Sequence, residues 1–266
     1  MKMKRSEKLG MFTGLVVGVL LLLISVFMIF QTTCKVWGAE KPANATQQGI
    51  DVSSHQGKID WEQVKNSALA DYAIIRCGYG VNQTDKDDKY WDYNSSECER
   101  LGIPYGTYLY SGADTTAKAK SEAEHVVRLL QGKNLTYPIY YDMEADMLNQ
   151  LSSTQIGNIA KTFLNTMESY GYKNVAVYSN KYLFETKLTA SVFSDYPKWI
   201  AQHSNKCTYQ GSYHMWQYST QGVIPGISEK VDLNYKIGNW TYAGYSSAKK
   251  TVVVKPKATT IKSLRK

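Results

Sequence analysis

Tyr137-Pro138-Ile139-Tyr140-Tyr141-Asp142-Met143-Glu144-Ala145-Asp146 reads as a short buried strand that ends in acid. Pro138 suits the first residue of a strand, where its missing N–H is tolerated, and Ile139, Tyr140 and Tyr141 are strand formers. Side chains alternate across a strand, so Asp142 and Glu144 are expected on the same face. Two neighbouring carboxylates repel each other, which raises the proton affinity of at least one. The pair is therefore a candidate general acid beside a carboxylate that stays charged.

Working outward, the same rhythm repeats. Upstream, Gly49–Val52, Tyr72–Cys77 and Pro104–Tyr110 read as strands. Helices separate them: one opened by an N-cap at Asp60, one around 90–101 closed by Gly102, and one over 115–130. The last carries Ala119, Ala123, Val126, Val127 and Leu130 on one stripe. Downstream, 152–170 is a helix with Ile156, Ile159, Phe163 and Met167 at helical spacing, stopped by Gly171. Val175–Ser179 is a fifth strand, with a short helix near 182–187. Then Lys198–Ala201, His214–Tyr218 and Val231–Tyr235 read as strands with little room for helices between them. Five βα units followed by three strands imply an α/β fold, a parallel sheet that closes or nearly closes into a TIM-like barrel. Residues 49–240 number 192, short of the roughly 250 of a full eight-fold βα barrel, and missing late helices account for the difference.

In such a barrel, function gathers where the strands end. Asp51, Arg76, Tyr108, Tyr110, Asp142, Glu144, Tyr178, Trp216, Gln217 and Asp232 all fall there. The chain contains 21 tyrosines, whose flat amphipathic rings suit a sugar-binding groove as well as a core.

The net charge of +8 is concentrated at the ends. Residues 1–10 contribute +3 and residues 243–266 contribute +7, which leaves −2 for the body. A nucleic-acid-binding body is excluded on that balance. Residues 11–30 form 20 uncharged, mostly apolar residues, as a helix roughly 30 Å long and sufficient to span a bilayer. Lys2, Lys4, Arg5 and Lys8 precede the run, so residues 1–10 are expected to stay in the cytoplasm. A cleaved signal peptide is the rival reading; the length of the run and the lack of a small-x-small site directly behind it favour an uncleaved anchor. Either way the body is exported, anchored at the cell membrane or secreted after cleavage. Residues 31–48 read as a polar linker. The tail 243–266 reads as a basic segment able to contact anionic wall polymer, or as the start of a further β-domain. Cys34, Cys77, Cys98 and Cys207 show no metal spacing and carry no assigned pairing.

Taken together, Gly49-Ile50-Asp51-Val52-Ser53-x-His55-Gln56-Gly57, Ile59-Asp60-Trp61, Asp142-x-Glu144, Trp199-Ile200-Ala201, Trp216-Gln217-Tyr218 and Val231-Asp232-Leu233-Asn234 resemble, in that order, the Chalaropsis-type lysozymes. These are N-acetylmuramidases of glycoside hydrolase family 25. The resemblance implies a flattened barrel of five βα units and three strands, with a catalytic domain at 49–242. It implies hydrolysis of the β-1,4 bond between N-acetylmuramic acid and N-acetylglucosamine in peptidoglycan glycan strands. Glu144 would be the general acid within an acidic cluster of Asp51, Asp142 and Asp232. Arg76, Tyr108, Tyr110, Tyr178, Trp199, Trp216 and Gln217 would bind substrate, without cofactor or metal. The sequence departs from the family pattern at Arg76, often Lys; at Cys77-Gly78-Tyr79-Gly80; at Tyr108-Leu109-Tyr110; and at His203, often Tyr.

Two other readings remain. A non-catalytic wall-binding module would keep the barrel and lose the acid, but all four acidic positions are present. A metal-dependent polysaccharide hydrolase would draw on Asp51 and His55, but His55, His125, His203 and His214 have no paired spacing, and His125 is expected on a helix surface.

Overall fold

A computed structural model describes residues 39–240. The apolar run 11–30, Cys34, the first part of the 31–48 stretch and the basic tail lie outside the described residues. Among the described residues no helix is long and apolar enough to cross a membrane.

Eight strands close into a barrel in chain order. They are β1 (Ala45–Val52), β2 (Tyr72–Tyr79), β3 (Tyr105–Tyr110), β4 (Ile139–Asp142), β5 (Val175–Asn180), β6 (Lys198–Ala201), β7 (Met215–Gly222) and β8 (Val231–Ile237). Helices α1 (Trp61–Ser67), α2 (Trp91–Leu101), α3 (Thr116–Leu129) and α4 (Ser153–Ser169) follow β1 to β4, and α5 (Lys181–Thr186) and α6 (Val192–Asp195) follow β5. Asp60 accepts from the Gln63 N–H to open α1, Ser152 and Gln155 form a reciprocal capping box on α4, and Gly102 closes α2 in the left-handed region at φ 65°.

Two expectations need correction. The sheet is not wholly parallel: β1 to β7 run parallel, and β8 pairs antiparallel with both β7 and β1. Residues 223–230 are too few for the crossover that a parallel partner requires, so β8 must fold back on β7. The polar stretch before residue 49 also contributes structure. β1 opens at Ala45, and Ala45, Gln47 and Gln48 pair with Ile237, Lys236 and Tyr235 of β8.

The barrel interior is filled by aromatic rings. Tyr72 stacks on Tyr137 at 4.4 Å, and Tyr140 meets Trp199 edge-on at 4.9 Å. Tyr140 points inward from β4, so Tyr141 points outward. There it stacks on Phe163 of α4 at 3.9 Å and donates to Glu122 of α3 at 2.6 Å. Beneath the rim, then, β4 is held from both faces. Asp142 continues the inward series of Tyr140.

His125 is buried, not on the surface of α3. Its Nε2 lies 2.7 Å from Asp87 Oδ1 and its Nδ1 3.0 Å from the Gly80 carbonyl, while Arg128 also binds Asp87. The ring can lie against β2 because residue 78 is glycine: a Cβ there would stand 2.9 Å from His125 Cε1. Helix α3 therefore buries a second, polar stripe against the β2–α2 loop. Cys77, Cys98 and Cys207 are free thiols, the first two buried.

Candidate active site

The strands of a closed barrel bring residues far apart in sequence to one rim. Asp51 is the penultimate residue of β1 and Asp232 the second residue of β8, and the two are register partners. Asp142 ends β4, level with Tyr110 of β3 and Tyr178 of β5. Glu144 lies just beyond the strand, in a segment anchored by backbone bonds: Met143 N–H donates to the Tyr178 carbonyl at 2.9 Å, and Ser179 Oγ donates to the Met143 carbonyl at 2.6 Å. Those bonds leave Glu144 little freedom to leave the rim.

Gln217 of β7 joins the groups. Its Nε2 donates to Asp51 Oδ2 at 2.9 Å and Asp232 Oδ2 at 3.3 Å, and its Oε1 accepts from Tyr178 Oη and His203 Nε2, each at 3.0 Å. Asn234 donates to Asp51 Oδ2 at 2.7 Å, and its own oxygen accepts from the Trp199 indole at 2.8 Å. Trp199 is thus buried below the rim and fixes Asn234, which in turn fixes Asp51.

The four carboxyls share one poorly solvated space, and all are pushed above the usual carboxylate range. Burial acts first on Asp142, then the charges of Glu144 and Asp51, with Arg76 opposing. Glu144 is raised by burial and by Asp51, and lowered by His203 and a hydrogen bond from Tyr178. Asp51 is raised by burial and by Asp232, against the two amide donors. Burial pushes Asp232 up to about 6, opposed by a hydrogen bond from Asp51. Asp51 and Asp232 interact directly through a hydrogen bond, while Glu144 and Asp142 keep raised proton affinities nearby. Asp142 Oδ1 is buried and has no hydrogen-bond partner among the described residues.

Arg76 reaches the site's edge. Its Nε donates to Asp88 at 2.8 Å and its Nη2 to Ser54 Oγ at 2.9 Å, and the Ser54 and Tyr90 N–H groups complete the Asp88 carboxylate at 2.9 Å each. Tyr108 and Tyr110 share the inward face of β3. Trp216 does not belong here. It is adjacent to Gln217 and so points to the opposite face of β7, where it is fully buried against Tyr218 and Tyr235 and donates to the Gln202 carbonyl at 2.9 Å. Asn234, His203 and Asp88 take up positions in or beside the site that residue type alone does not flag. Among the described residues no cluster of His, Cys, Asp and Glu is placed to hold a metal ion.

Comparison with known proteins agrees with this fold. The family model described as glycosyl hydrolases family 25 matches residues 50–227. The autolytic lysozyme of Clostridium acetobutylicum is 30% identical over 188 residues, covering 70% of this chain and 55% of that protein. Among solved structures, the modular autolysin LytC of Streptococcus pneumoniae is 33% identical, with a TM-score of 0.65 over 71% of this chain and 46% of that one. A family 25 glycosyl hydrolase from Bacillus anthracis shares the fold at 20% identity, with a TM-score of 0.66 over 77% of this chain and 95% of that one. This chain thus spans about half the length of the clostridial and pneumococcal proteins.

Proposed function

The chain belongs to glycosyl hydrolase family 25, and from that premise we propose that it is a peptidoglycan muramidase in which Glu144 is the general acid. The observation that carries the reading is the convergence of Asp51, Asp142, Glu144 and Asp232, all with raised proton affinity, at one end of the barrel. A general acid must hold a proton near neutral pH, and Glu144 lies just beyond the end of its strand, less buried than Asp51 and Asp142.

The chemistry then runs in two steps. Glu144 gives its proton to the glycosidic oxygen between N-acetylmuramic acid and N-acetylglucosamine, and the bond to the anomeric carbon breaks. The carbonyl oxygen of the substrate's own 2-acetamido group closes on that carbon, and Asp142 orients the group by accepting its N–H. The Oδ1 of Asp142, which has no partner among the described residues, supports this assignment. Negative charge on the Asp51–Asp232 pair stabilises the oxocarbenium-like transition state. Water, deprotonated by Glu144, opens the intermediate and restores the starting proton inventory. Retention of configuration follows; an inverted product in proton NMR of the fresh digest would exclude the acetamido route. Tyr108, Tyr110, Tyr178 and Arg76 border the bound sugar, with residues 11–30 as a membrane anchor and residues 243–266 as a contact to anionic wall polymer.

The test is digestion of purified peptidoglycan by the full chain, wild type beside Glu144→Gln, with fragments read by mass spectrometry. Wild type releases fragments with N-acetylmuramic acid at the reducing end, in EDTA as in buffer. Glu144→Gln is slower by about 10³-fold, within the range general acid catalysis supplies. Reducing-end N-acetylglucosamine would move the cleaved bond, and a wild type that sediments with the wall without releasing fragments would make the protein a binding module.

A further inference from the structure

The opposite end of the barrel has a cleft of its own. Pro138 precedes β4, Val175 opens β5, Pro197 precedes β6 and Trp240 follows the antiparallel β8, so all four lie at the end remote from the carboxyls. They line a cavity of about 560 Å³. A second cavity of about 160 Å³ shares Asp195, Tyr196, Pro197 and Trp240 with it, so the two form one cleft.

Lys198 lines the smaller cavity and is only 8% exposed. Among the described residues no hydrogen bond or ion pair reaches its ammonium. Burial pulls it below the ordinary lysine range, and no carboxylate opposes that effect. A cation that lines a cavity without a counter-charge attracts an anion into that space. The rest of the chain offers little: residues 1–38 and 241–266 contain a single acidic side chain, Glu7. The stretch that continues from Trp240 carries seven Lys and Arg, which favours an anion from solution.

Two further features narrow the anion. Trp240 is 46% exposed on the shared wall, a flat apolar face of the kind on which a sugar ring stacks. Asp195 stands on the same wall, and Lys161, Lys173 and Asn165 line the larger cavity. A bare phosphate would meet repulsion from Asp195, whereas a sugar can donate its hydroxyls to Asp195 and present an acid group to Lys198.

We propose that this cleft is a second carbohydrate site, binding a sugar that carries a carboxylate, with Trp240 under the ring and Lys198 on the acid group. On the reading of the enzyme given above, that sugar is N-acetylmuramic acid stripped of its peptide stem, because the stem is amide-linked to the lactyl carboxyl and only its removal frees a carboxylate; N-acetylglucosamine has none. The site would hold peptide-free glycan at the far end of the barrel while the rim cleaves elsewhere on the wall.

The experiment titrates the full chain, with Glu144→Gln introduced to prevent turnover, against N-acetylmuramic acid, N-acetylglucosamine and inorganic phosphate at constant ionic strength. Binding is followed by thermal shift and calorimetry. N-acetylmuramic acid is expected to raise the melting temperature and N-acetylglucosamine to do so far less. Lys198→Met is expected to fold, to be at least as stable without ligand, and to weaken N-acetylmuramic acid binding tenfold or more. Trp240→Ala, a change at an exposed ring, should weaken it similarly. An undiminished response in both variants overturns the site, and an equal response to phosphate overturns the assignment to a sugar acid. Because no hydrolysis is read, loss of this site and failure of the muramidase reading are distinguishable.

Discussion

Replacing Asp232 by Asn should stabilise the folded protein while impairing the enzyme. Asp232 is pushed from an ordinary 3.8 up to about 6, chiefly by burial, so its ionised form is disfavoured in the fold. At about 1.4 kcal/mol per pH unit the difference is about 3 kcal/mol at neutral pH, and partial exposure reduces it to about 2. Asn keeps a carbonyl oxygen to accept from Asp51 and Gln217, so the network loses charge without losing an acceptor. The sign follows from linkage. The folded state binds the proton more tightly, so the wild type's penalty is absent below pH 3.8, grows between there and about 6, and is full above. Asp232→Asn should therefore melt roughly 4–8 °C above wild type at pH 7.5, the scale for a domain of this size. The advantage should vanish near pH 4. Circular dichroism melts at the two pH values make the measurement. A variant less stable than wild type at pH 7.5, or equally stabilised at both, refutes the account of the carboxyl cluster.

Two other substitutions probe the scaffold around the site. Gln217→Leu removes the donor to Asp51 and Asp232 and the acceptor of Tyr178 and His203. It should lower kcat by roughly 10- to 100-fold, about 1.4–2.7 kcal/mol of barrier, and move the acidic limb of the rate profile to higher pH. An unchanged pH profile would detach the amide from the carboxyls' electrostatics. His125→Leu should cost roughly 2–4 kcal/mol in urea unfolding, since it strips one partner from Asp87 and one from the Gly80 carbonyl in a buried network. A cost below about 0.5 kcal/mol would return His125 to the ordinary surface of a helix.

The strand and helix rhythm was legible because hydrophobic periodicity is local, and the acid at the end of β4 was legible because alternation along a strand is rigid. The same alternation, applied to β7, separates Trp216 from Gln217, so the assignment of both to one groove was avoidable from sequence. The role of Gln217 was not. It joins Asp51, 166 residues away, to Asp232 and Tyr178, and nothing local distinguishes it from any other strand amide. His125 misled for the converse reason: its partners, Asp87 and the Gly80 carbonyl, come from a loop whose path depends on Gly78 lacking a side chain. The pairing of residues 45–48 with β8 was likewise hidden in a polar stretch whose partner strand is nearly two hundred residues away. The direction of β8 was legible, and it decides the chemistry. Eight residues, 223–230, cannot return a chain to the start of a parallel neighbour, so β8 had to reverse. Asp232, near the start of its strand, and Asp51, near the end of its own, reach the same rim only because those two strands run in opposite directions.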